Sequence, residues 1–179
     1  MVSIVMLFAL PTICLIVFYL RPAYSIRRAV ATGDSYALTK CLRIGVDPNM
    51  QFTIFFAGSK SRQSLLHYAV KCSNPEACRI LLEHGADPNS RDYDGMTPIM
   101  TAFGRGLDPI AQEKIFNCLL PVSDLSLVDR CGCSLLHRIA LYGSAEQYET
   151  VRNKAPWLVM DKDYSGTSPL DIINSKDHK

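Results

Sequence analysis

The 179-residue chain has no charged side chain before Arg21, no Asn-x-Ser/Thr acceptor site and no long run of one charge sign. Lys and Arg number 19 against 17 Asp and Glu, a net charge of +2, and the two signs are interspersed. That balance leaves no electrostatic footprint for nucleic acid or for a strongly acidic partner surface. Cysteines stand at 14, 41, 72, 78, 118, 131 and 133; the count is odd and the spacings form no disulfide framework. With no glycosylation acceptor either, nothing indicates a eukaryotic secretory lumen, and reduced, mostly buried thiols are expected. Gly-x-Ser-x-Gly, a phosphate loop and His-Glu-x-x-His are all missing. No catalytic residue, metal or cofactor is therefore expected, and the chain does not read as an enzyme.

What is present begins with an apolar run, Val2 to Leu20. About 20 such residues cross a hydrocarbon core as a helix. Pro11 is tolerable there because neighbouring groups satisfy the freed carbonyl, and Tyr19 and Tyr24 sit where amphipathic rings favour the interface. The expected layout is a transmembrane helix or signal anchor over 1–21 and a folded domain over 22–179. A cleaved signal peptide competes, with Ala23-Tyr24-Ser25 as an acceptable cleavage site, although a basic n-region is absent. Arg21, Arg27 and Arg28 follow the run and no basic side chain precedes it, so the positive-inside bias puts the domain in the cytoplasm. Cleavage would instead make it periplasmic or exported.

Beyond the run the sequence repeats itself. Ser64-Leu65-Leu66-His67, Thr97-Pro98-Ile99-Met100, Ser134-Leu135-Leu136-His137 and Ser168-Pro169-Leu170-Asp171 start 33, 37 and 34 residues apart. Ile44-Gly45-Val46-Asp47-Pro48-Asn49 returns as His84-Gly85-Ala86-Asp87-Pro88-Asn89. Leu65, Leu66, Ala69 and Val70 make one apolar helical face, and Cys78, Ile80, Leu81 and Leu82 the next. Asn74-Pro75-Glu76 reads as a helix start, repeated at Asp108-Pro109; Gly85 reads as a helix stop, and Asp92-Tyr93-Asp94-Gly95 as a turn.

This register resembles the ankyrin family, whose signature is Thr-Pro-Leu-His-x-Ala, a second helix ending in Leu-Leu, then Gly-Ala-Asp-x-Asn. The run from Ser64 to Asn89 carries nearly all of it, and the resemblance covers about residues 24 to 175. It implies an all-α solenoid of stacked helix-turn-helix units with hairpin fingers, preceded here by one transmembrane helix. Units are expected near 24–51, 64–93, 95–129, 132–163 and 166–179. The first finger is long, the third unit holds about four extra residues around Gly104 to Asp108, and the last carries one helix start. Under the resemblance, His67 and His137 bond within the turn region and shape it.

The resemblance also implies recognition of another protein through fingertips and the concave inner-helix face. By position in the repeat, Arg91, Tyr93, Arg130, Lys162 and Tyr164 are fingertip candidates, equally readable as ordinary solvated loop. Phe52, Ile54, Phe55 and Phe56 crowd the enlarged first finger, where loops should be polar. They either fold back on neighbouring repeats, lie on the bilayer, or anchor a partner. The expected function is a membrane-tethered interaction module, with residues 2–20 in the membrane and no nucleic-acid partner. One alternative is a bacterial immunity protein that neutralises a toxin or effector enzyme such as a phospholipase. Another is a redox or metal protein built on Cys131-Gly132-Cys133, which lacks the second ligand pair of a zinc finger.

Overall fold

Helix starts in this chain are set by short polar side chains that accept an orphan N–H of the first turn. The computed structural model describes residues 25–56, 59–104 and 106–177. In it Asp34, Asn74 and Asp108 accept from the N–H groups of Ala37, Ala77 and Ala111, with Pro75 and Pro109 opening two of those helices. Each such cap contributes about 1 kcal/mol.

The helices are α1 (25–32), α2 (Ser35–Arg43), α3 (Leu65–Lys71), α4 (Pro75–Glu83), α5 (Pro98–Thr101), α6 (Pro109–Leu119), α7 (Leu135–Tyr142), α8 (Ala145–Lys154) and α9 (Pro169–Asp177). They alternate between two layers. The odd-numbered inner helices stack α3 on α5, α5 on α7 and α7 on α9; the outer layer stacks α2 on α4 and α4 on α6. Leu66, Ile99 and Leu136, one from each of three successive inner helices, are fully buried in one continuous core that runs from Ile26 to Leu158. No single helix pair could bury that surface alone, so stability comes from stacking. Within the third unit the rings of Phe103 and Phe116 meet edge to face at 5.6 Å, tying α6 to the loop after α5.

Fingers leave the outer helices and return to the next inner helix. Gly85 follows α4 at φ 86°, a left-handed conformation that stops the helix and turns the chain outward. The first finger differs from the expected loop: it is a two-stranded antiparallel hairpin, β1 (Gln51–Phe56) and β2 (Ser59–Ser64), in register Gln51↔Ser64 through Phe56↔Ser59. Thr, Ile and Phe favour a pleated conformation and the Ser-rich return strand offers a full ladder, so length is converted into strand. In the fourth unit α8 gives way to a 3-10 turn, Pro156–Val159, that buries Leu158 and leaves Trp157 exposed.

The apolar run Val2–Leu20 and its reading as a membrane span lie outside the described residues. Among the described residues no helix is long and apolar enough to cross a membrane.

Candidate functional site

Two hydrogen-bond ladders hold the inner helices and fingers in register. In the second unit the Ser64 hydroxyl lies 2.8 Å from His67 Nδ1 and His67 Nε2 lies 2.9 Å from the Met96 carbonyl. A carbonyl only accepts, so Nε2 carries the proton and Nδ1 accepts from Ser64. The fourth unit repeats this with Ser134, His137 and the Thr167 carbonyl. Burial holds the His67 imidazole below its ordinary pKa and so neutral. These histidines have no free nitrogen for a ligand.

The same ladder is broken in the third unit. Met100 stands where the others have His, and the buried Thr97 hydroxyl has no partner. In the last unit Asp171 takes the position and closes back on Ser168, whose hydroxyl donates to it at 2.7 Å.

The second ladder runs along the fingertips. Asp92, Asp129 and Asp163 each turn a carboxylate oxygen inward onto two N–H groups of their own turn. The following residue then bonds to the preceding finger: Tyr93 N–H to the Arg62 carbonyl at 2.9 Å, Arg130 N–H to Asp94 at 3.0 Å, and Tyr164 N–H to Cys131 at 2.9 Å. Side chains follow the main chain. The Arg130 guanidinium lies 4.5 Å from the Tyr93 ring centre, a cation–π contact. Gly132, at φ 78°, makes room for Tyr164: a Cβ there would come 2.7 Å from the ring. Tyr93, Arg130 and Tyr164 therefore form one row on successive fingers, with Tyr93 and Tyr164 exposed at 48% and 78%.

Arg91 donates to the Val128 carbonyl at 2.9 Å, bridging two fingers, while Lys162 is exposed beside Tyr164. Phe52 is half-buried and packs edge to face on Tyr68 at 5.4 Å, with the Arg27 guanidinium 4.3 Å above its ring. It is part of the first finger's base. The side chains of Ile54, Phe55 and Phe56 lie outside the described residues, so the sequence expectation for them meets no geometry. Arg27, Tyr68 and Lys71 share that base and are not singled out by the sequence pattern; the one signal for them is the absence of any Asp or Glu from Pro48 to Pro75.

The thiols need a correction. Among the described residues Cys41 and Cys78 are buried, Cys72, Cys118 and Cys133 are half-buried and Cys131 is exposed, all unpaired. The sequence expectation is burial for most, because a thiol packs as a small apolar group; the finger position of Cys131 and Cys133 overrides that preference. Burial also pushes Cys133 up to about 11, so it is a protonated thiol and a poor nucleophile or ligand. Among the described residues no three His, Cys, Asp or Glu side chains cluster in a way that would hold a metal.

Residues 26–113 match the family model for ankyrin repeats, in three copies. The chain carries ankyrin repeats. The E3 ubiquitin-protein ligase HACE1 of Xenopus tropicalis is 41% identical over 51 residues, 28% of this chain and 6% of that protein. The nuclear factor NF-kappa-B p105 subunit of Gallus gallus is 42% identical over 84 residues, 46% of this chain and 8% of that protein. Human HACE1 is 39% identical over 51 residues, again 28% of this chain and 6% of that protein. The chain thus spans less than a tenth of these relatives, and the match lies in the repeats. Ankyrin repeats are typically non-catalytic, and this ankyrin chain is a protein–protein interaction module.

Proposed function

We propose that this ankyrin chain is a membrane-tethered adaptor that holds a partner protein against its fingertips and concave face. The observation that carries the reading is the Tyr93–Arg130–Tyr164 row. Aromatic and Arg side chains supply most of the energy in protein interfaces. Here they stand on main chain fixed by finger-to-finger hydrogen bonds, so little ordering entropy is lost on binding.

Tethering is supported by the apolar length of Val2–Leu20 and by the chain immediately after it. Only four residues, 21–24, lie in sequence between that run and the first described residue of α1. The first outer helix then presents Tyr36, Lys40, Arg43 and Ile44 as neighbours on one exposed face, with Tyr36 79% and Ile44 68% exposed. Cations beside aromatic and aliphatic groups suit an anionic bilayer surface. The charge bias of Arg21, Arg27 and Arg28 favours the cytoplasmic side.

The test is a photocrosslinking amino acid placed in cells at Tyr93 or Tyr164, and at Glu113 on the outer face of α6. Crosslinks to one common protein from both fingers and none from Glu113 support the reading. Equal yield from Glu113 overturns it. Alkaline extraction of membranes addresses the tether separately: a chain released to the supernatant removes the anchor and leaves the interaction reading in place.

A further inference from the structure

The glutamates of this chain all lie in one layer, and no inner helix before α9 carries an acidic side chain. All five (Glu76, Glu83, Glu113, Glu146 and Glu149) stand on the outer helices α4, α6 and α8. Two outer cations are matched to those glutamates: Arg79 pairs with Glu76 and Glu83, and Arg152 with Glu149, whereas Lys40, Arg43, Lys114 and Lys154 form no ion pair among the described residues. On the inner side Arg138 of α7 has its own carboxylate, the buried Asp129 of the third finger.

At the other end of the concave face the matching stops. Two cations meet at the base of the first finger from two helices, and a third lies on the other face of its hairpin. Arg27 of α1 lies over the rings of Phe52 and Tyr68, at 4.3 and 5.6 Å. Lys71 of α3 donates to the Gln63 side-chain oxygen at 2.7 Å, and Gln63 is the strand partner of Phe52. Arg62, the residue before Gln63 in β2 and the partner of Thr53, is exposed on the opposite face of the hairpin. Among the described residues none of the three forms an ion pair. The Nε of Arg27 and the Nε2 of Gln63 are buried donors without an acceptor, and Gln63 is 0% exposed. The adjoining finger does not supply the missing charge, because its Asp92 is turned inward onto the N–H groups of Asp94 and Met96.

We infer that the base of the first finger, between α1 and α3, receives an acidic segment of the partner protein. A carboxylate beside the outer nitrogens of Arg27 and the Lys71 ammonium supplies the counter-charge that the fold withholds, and the Phe52 and Tyr68 rings fix the Arg27 fork before the ligand arrives. Charge-assisted bonds to a pre-set guanidinium are the strong ones. Two cations at one finger base, with Arg62 on the finger's other face, suit a short acidic stretch of polypeptide. A nucleic acid would call for a continuous basic stripe, and the fourth unit cancels its inner cation with Asp129. The inference rests on the interaction reading above and names the partner's chemistry at one end of that surface.

The experiment uses the full chain in a non-ionic detergent and three fluorescein-labelled probes. They are a dodecapeptide of alternating glutamate and glycine, its glutamine counterpart, and a 12-nucleotide single-stranded RNA, each read by anisotropy. The glutamate peptide is expected to bind at least tenfold more tightly than the glutamine peptide, with affinity falling as salt rises. Arg27→Gln and Lys71→Gln should each weaken it about tenfold, Arg27→Lys less, and Arg152→Gln on the outer layer should leave it unchanged. If Arg27→Gln lowers the melting temperature, Lys71→Gln carries the comparison. Equal binding of the two peptides, no binding of the glutamate peptide, or equal binding of the RNA through the same cations would overturn the inference. A crosslinked partner segment without acidic residues would do the same while leaving the interaction reading intact. Tight glutamate-peptide binding without fingertip crosslinks would instead sustain the acidic site and overturn the fingertip reading.

Discussion

His67 donates from Nε2 to the main-chain carbonyl of Met96 at 2.9 Å, so one buried imidazole joins two successive repeats. Its other nitrogen accepts from Ser64 in the helix cap below it. Protonation would put a hydrogen where that acceptor is needed, in a site with little water.

Stability should therefore depend on pH through His67. Burial places its folded pKa below the ordinary value of 6.5. The unfolded chain then takes up the proton first as pH falls, so the contribution is complete above about 6.5 and drains away below it. Thermal melts from pH 7.5 to 5 should show a falling Tm, with a shallower slope in His67→Gln. An unchanged slope in that variant removes the imidazole from the account.

Met100→His should stabilise the chain. A His there would accept from the orphaned Thr97 hydroxyl and donate to the Cys133 carbonyl, which now takes only the Asp129 N–H. Satisfying a buried hydroxyl and adding a bond to the next repeat should gain about 1 kcal/mol in urea unfolding. A loss of more than about 1 kcal/mol would show that the position is packed for Met alone.

Gly132→Ala should cost about 2 kcal/mol, part from the left-handed backbone and part from displacing the Tyr164 ring. In a Tyr164→Ala background the cost should fall to about 1 kcal/mol, since only the backbone part remains. Additive losses in the double variant would mean that the ring is not held against the glycine.

Leu81→Ala removes a side chain of zero exposure from the last turn of α4 and should cost about 2 to 5 kcal/mol. A cost below about 0.5 kcal/mol would be incompatible with stacked outer helices.

Most of the fold is legible in the sequence because its signals are local. Asn74-Pro75, Asp108-Pro109 and Gly85 act within one turn of themselves, and the structure puts a helix start or stop at each. The paired β1 and β2 strands are not legible, since a finger of ordinary length is a turn and nothing nearby says that a longer one will zip. The fingertip row is legible only as positions. That Arg130 lies over Tyr93, and that Gly132 is the seat of Tyr164, depends on partners more than 30 residues away. At the base of the first finger the sequence points to Phe52 alone, because Arg27 and Lys71 come to it from two other elements.

The interrupted imidazole ladder at Met100 falls where the outer layer is also parted. A groove of about 320 Å³, lined among others by Gln112, Phe116, Ser144 and Gln147, separates α6 from α8. In a linear array whose members touch only their neighbours, the least adhesive junction decides how the whole comes apart. Drawn from its two ends, this array is expected to yield first between α5 and α7. The half bearing the first finger would stay folded while the half bearing Tyr164 swings away, which makes that junction the elastic joint of the molecule.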